Sequence, residues 1–76
     1  MKSSKTYRIV LRKEPEGTYT ASVPSLPGCI TWGDTIEHAL EMVKEAIKGY
    51  IEVLEEAGEP VPDDNGTLEY SLQLSA

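Results

Sequence analysis

The sequence predicts an α+β fold of βββαβ order, a four-stranded mixed sheet of spatial order 3-2-1-4 with one helix packed on one face. Three observations predict it. Apolar and polar residues alternate in short segments before residue 33 and again after residue 67, the period of a half-buried strand. Between these segments, apolar residues recur at three- and four-residue intervals, the period of a helix with one buried face. The chain has 76 residues, 39% of them apolar, which allows one small domain, so residues 1–76 read as a single unit.

The elements follow in order. Tyr7, Ile9 and Leu11 alternate with Arg8, Val10 and Arg12 as the first strand. Glu14-Pro15-Glu16-Gly17 supplies a hairpin turn, with proline setting φ early in the turn. Tyr19, Ala21 and Val23 alternate with Thr18, Thr20 and Ser22 as the second strand, which Pro24 stops because it cannot donate a ladder hydrogen bond. After the Pro24–Gly28 connection, Cys29-Ile30-Thr31-Trp32 makes a short third strand. Asp34 is the expected N-cap of a helix over residues 35–57, with Glu37 reaching back to it and with Gly58 and Pro60 closing the far end. Leu68, Tyr70, Leu72 and Leu74 alternate with Glu69, Ser71 and Gln73 as the fourth strand. If the crossover is right-handed and this last strand pairs parallel to the first, the spatial order is 3-2-1-4.

Charge narrows the function. The net charge is -6, so the overall field does not attract nucleic acid, and no direct nucleic-acid contact is expected. A basic partner is the natural complement. Five of the seven basic residues lie within residues 1–13, and eleven of the thirteen acids within residues 34–69. Such sorting marks either an interaction surface or a solvated helix face. A single cysteine, Cys29, excludes an intrachain disulfide and a cysteine-rich zinc site. No apolar run reaches the ~18 residues of a membrane span or follows the N-terminus as a signal peptide would, so the expectation is a cytoplasmic protein with no membrane contact.

Little in the sequence carries chemistry. His38 stands alone on the charged side of the helix and reads as a solvated residue, with no nucleophile motif to serve as its partner. Cys29 reads as a small buried hydrophobe. The first and last strands present Tyr7, Ile9, Leu11, Leu68, Tyr70, Leu72 and Leu74, with no aspartate to meet the helix carboxylates on a metal ion. No catalytic residue, no metal site and no cofactor are therefore expected, and the glycines form no phosphate-binding motif. Gly49 is the one glycine inside the helix, at a cost of about 1 kcal/mol relative to alanine. It stands beside Met42 and Val53 at the rim of an apolar arc wider than docking on one sheet requires. Either Met42, Gly49 and Val53 form an oligomer contact, or the chain around Pro60-Val61-Pro62 folds back to cover them.

The stretch from Tyr19 to Leu40 contains Tyr-x-Ala-x-Val-Pro-x-Leu-Pro-Gly-Cys-x-Thr-x-Gly-Asp-Thr-x-Glu-x-Ala and closely resembles the HicB-like antitoxin family. The likeness continues through Glu45-Ala46-Ile47 and Gly58-Glu59-Pro60-Val61-Pro62. It implies a partially degraded RNase H-like domain that binds and neutralises a HicA-like toxin, a small basic mRNA-cleaving protein. Many members of the family carry a further C-terminal DNA-binding domain, whereas this sequence ends at Ala76, so that domain and promoter binding are not expected here. On this reading the protein is not an enzyme. Asp34, Glu37, Glu41, Glu45 and Glu52 are the expected partner-binding residues, grouped on one helix face with only Lys44 and Lys48 between them. The small core and the open sheet face or edge predict a homodimer or higher oligomer. Two alternatives are an orphan homo-oligomer without a toxin and a residual RNase H-like hydrolase.

Overall fold

Three short strands and a long helix make up the regular structure of the computed structural model, which describes residues 4–75. Lys2 of the basic N-terminal segment lies outside the described residues. Strand β1 (Val10–Lys13) pairs antiparallel with β2 (Tyr19–Ser22), and β2 pairs antiparallel with β3 (Ile30–Gly33), giving the sheet order β1-β2-β3. Helix α1 (Ile36–Glu56) lies across β2 and β3. The register places Leu11, Ala21 and Thr31 in one cross-strand row. Ala21 is fully buried, and the Thr31 hydroxyl donates to the Ala39 carbonyl of α1 at 3.4 Å, so this row faces the helix. Period-two alternation then puts the rows Val10–Ser22–Ile30 and Arg12–Thr20–Trp32 on the open face.

The core is Ala21, Val23, Leu26, Cys29, Ala39 and Val43. Leu26 comes from the connection between β2 and β3, where a string of backbone hydrogen bonds (Val23 N to Cys29 O, Leu26 N to Val23 O, Cys29 N to Leu26 O) turns its side chain inward. Burial of one such leucine contributes about 1.5–3 kcal/mol. The Tyr50 hydroxyl of α1 donates to the Pro27 carbonyl at 2.9 Å and ties the same connection to the helix.

The helix begins one residue later than the cap expected at Asp34. Thr35 is the N-cap, with extended backbone (φ -130, ψ 166), and its hydroxyl accepts from the His38 backbone N–H at 3.0 Å. The back-reaching role expected of Glu37 falls to His38, whose Nδ1 accepts from the Asp34 N–H at 3.3 Å. His38 is exposed, as expected, but it is a capping residue and not simply a solvated one. At the far end, Glu59 N–H donates to Leu54 O and Gly58 N–H to Glu55 O, with Gly58 at φ +71, a backbone conformation open to glycine without strain.

The expected fourth strand is not formed among the described residues. Leu68, Tyr70, Leu72 and Leu74 are 94%, 86%, 70% and 80% exposed, and the segment carries no strand pairing. The observed order is therefore βββα with a three-stranded antiparallel sheet, in place of βββαβ with a four-stranded mixed sheet of order 3-2-1-4. The RNase H-like arrangement, which needs a strand beside the first, is correspondingly incomplete. Alternation makes a segment competent to be a strand, but a strand exists only where a neighbour's N–H and C=O groups accept it. The chain after α1 is instead pinned at its middle. Asp64 donates its N–H to Thr6 O at 2.7 Å, and its carboxylate accepts from the Arg8 N–H at 2.7 Å and the Ser25 hydroxyl at 3.3 Å. The Tyr7 hydroxyl donates to the Pro62 carbonyl, and Arg8 pairs with Glu69.

Candidate partner interface

Helix α1 sorts its residues by face, because the sheet takes one side and solvent the other. Glu37, Glu41, Glu45 and Glu52 follow at intervals of four, four and seven, which stacks them along one exposed stripe. Asp34, also exposed, stands just before the helix, its N–H held by His38. All five carboxylate residues are exposed to solvent. Lys48 approaches Glu45 at 3.8 Å, an exposed pair of the kind that contributes about 0–1 kcal/mol, so it neutralises little of the stripe.

Met42, Gly49 and Val53 border the acidic stripe and are all exposed. The structure joins them to β3. Gly49 and Val53 share a shallow depression with Cys29 and Ile30, and Met42 shares another with Ile30, Trp32 and His38. Ile30 and Trp32 are each 62% exposed and were not singled out from the sequence. Their orientation follows from the sheet register: in a strand whose Thr31 faces the helix, residues 30 and 32 face away. The segment at residues 60–62 does not cover this strip. It crosses to the β1 side, where Pro62 meets Tyr7.

Gly49 has open space where a side chain would begin, so no packing within the chain requires glycine there. Gly33 is the opposite case. A Cβ at Gly33 would lie 2.5 Å from the Ala39 backbone nitrogen, so the absence of a side chain is what lets β3 approach the helix.

The remaining titratable groups serve structure. Cys29 is buried in the core, as expected, and burial raises its thiol pKa above the usual value, which keeps it protonated. Burial, with Asp63 and Asp64 nearby, raises the Tyr7 phenol as well. Asp64 is the buried carboxylate of the fold. Nothing in the local sequence marks its role. Among the described residues, no three His, Cys, Asp or Glu side chains gather as metal ligands would. Among the described residues, no helix is long and apolar enough to cross a membrane.

Comparison with known proteins places the sequence and fold in a family. Residues 7–74 match the family described as HicB_like antitoxin of bacterial toxin-antitoxin system. A UPF0150 protein of Thermoplasma acidophilum is 46% identical over 59 residues, covering 78% of this chain and 86% of that protein. Antitoxin HicB 1 of Photorhabdus laumondii is 39% identical over 56 residues, covering 74% of this chain and 36% of that protein. The crystal structure of the N-terminal domain of Burkholderia pseudomallei antitoxin HicB superposes with a TM-score of 0.67 at 34% identity, covering 90% of this chain and 72% of that one. With its meander, its single helix and a match over nearly its whole length, the chain belongs to the HicB-like antitoxin family.

Proposed function

We propose that this protein is the antitoxin of a toxin–antitoxin pair and neutralises a small basic HicA-like mRNA-cleaving toxin by binding it directly. The observation that carries the reading is the exposed stripe of Asp34, Glu37, Glu41, Glu45 and Glu52, barely neutralised, on a member of an antitoxin family. A stripe of one sign raises the encounter rate with a basic partner and fixes its orientation. Charge alone gives a weak complex, so the bordering strip of Met42, Gly49 and Val53, continued by Ile30 and Trp32, supplies the apolar centre from which water is excluded. This reading assigns Met42, Gly49 and Val53 to the toxin rather than to self-contact, because they adjoin the acidic stripe. The protein acts by occlusion and not by catalysis. Its carboxylates are spread along a helix and do not converge, and its net charge of -6 opposes direct contact with RNA or DNA. The place of action is the cytoplasm, where the toxin's mRNA substrate is found, and no cofactor takes part.

The test is reconstitution with the toxin encoded beside this chain. RNA cleavage by the toxin is expected to fall to background as the antitoxin reaches molar parity, with both proteins eluting as one complex. Cleavage that persists at large molar excess, with the two proteins eluting separately, contradicts the proposal.

A further inference from the structure

We infer that the segment from Leu68 to Leu74 is an exchange arm, which seats as a fourth strand beside β1 of a second copy of this chain. Four large apolar residues on alternate positions of this segment stand in water, which a chain of this size does not sustain without a destination. The arm leaves the body. The radius of gyration is 14.4 Å, against about 11 Å for a compact domain of this length, and the molecule extends over 45 Å.

A seat of the right kind is open on the same molecule. Between the segment leading into β1 and helix α1 runs an apolar groove of about 380 Å³, lined by Tyr7, Ile9, Leu40, Val43, Ile47 and Ile51. Beside it, β1 is hydrogen-bonded to β2 on one side only, and all four of its residues are exposed. Seven residues of extended chain span about 23 Å, which is the reach both of the arm, residues 68–74, and of the edge over residues 7–13. Backbone groups along that edge offer the ladder, and the groove offers a seat for every second side chain. Lys5, Lys44 and Lys48 rim the groove, and the arm brings no cation to oppose them.

The occupant is another copy because each chain's own arm is directed off its groove. Asp64 is fixed to Thr6, Arg8 and Ser25, the turn closed by Thr67 N–H donating to Asp64 O follows, and beyond Glu69 the chain runs clear of the body. Two copies related by a two-fold axis solve the problem reciprocally, each arm filling the other's groove. Stable, specific interfaces bury about 1,200–2,000 Å², and the exchange contributes to such an area twice over, with four large exposed apolar residues from each arm. The four-stranded order expected from the sequence is then completed between chains, and the acidic stripe stays on the outward face of the helix, with Lys48, the partner of Glu45, at its boundary with the groove.

Light scattering on the full-length protein, paired with isotope-filtered NMR of a mixed-label sample, tests this. A particle of twice the 8.4 kDa chain mass is expected, with cross-chain contacts between Leu72 and Ile47 methyl groups. The double variant Tyr70→Asp, Leu72→Asp is expected to be a monomer with unchanged helix content, since both side chains are exposed within a single chain. A monomeric wild type, a dimer that survives the double variant, or arm-to-groove contacts found only within one chain overturns the inference.

Discussion

Gly33 is the residue on which the helix–sheet contact turns. It ends β3 in a buried position, directly under the first turn of α1, and the 2.5 Å that a Cβ would leave to the Ala39 nitrogen is a clash with backbone, which no side-chain rotation relieves. Gly33→Ala must push the helix off the strand, and such overpacking costs about 1–3 kcal/mol. Urea unfolding at fixed protein concentration checks this: a midpoint lowered by the corresponding amount is expected, and an unchanged midpoint contradicts the close approach. Asp64 teaches a complementary lesson. Its carboxylate joins Arg8 and Ser25, residues 56 and 39 positions away in sequence, and no local pattern announces a contact of that range. It reads in the sequence as one acid among thirteen.

At the scale of elements, periodicity made the three strands and the helix legible, because apolar and polar residues repeat at the spacing of each element, even in β1, whose four residues are all exposed. Expected and observed helix limits, 35–57 and Ile36–Glu56, agree closely, and the cap differs only in which of two good capping residues, Asp34 or Thr35, closes the first turn. The fourth strand failed for a different reason: a strand's partner lies outside its own sequence. Leu68 to Leu74 has the pattern, but its pairing depends on which edge the preceding loop lets it reach. The acidic stripe proposed to bind the partner was legible as a face, since helical spacing alone groups its glutamates, whereas its proposed extension over Ile30 and Trp32 required the sheet register. Gly49 gives a prediction at this scale. With nothing within 4 Å of an added Cβ, Gly49→Ala adds helix propensity without a clash, and the domain gains about 0.5–1 kcal/mol. A raised melting temperature with weakened toxin binding is expected. A variant that is no more stable, or that binds the toxin unchanged, removes Gly49 from the contact strip.

The whole molecule is organised around two opposed edges of one helix. The apolar border lies along one edge and the groove beside β1 along the other, with the acidic stripe on the outward face between them, so the proposed second copy and the proposed toxin come together only around Lys48, which rims the groove and pairs with Glu45. This division depends on the stripe being the toxin's landing site. Single surface charges contribute too little to decide the matter, while several together set the approach field and its sensitivity to salt. The decisive measurement is the association rate between this protein and its toxin across a salt series, for the wild type and for the double variant Glu41→Lys, Glu45→Lys. Both substituted side chains are exposed, so the fold is retained. The account predicts a wild-type rate that falls steeply with added salt, and a variant rate that is slower at low salt and nearly flat across the series. Equal rates with equal salt slopes would place the toxin elsewhere on the molecule and contradict the assignment of the acidic stripe.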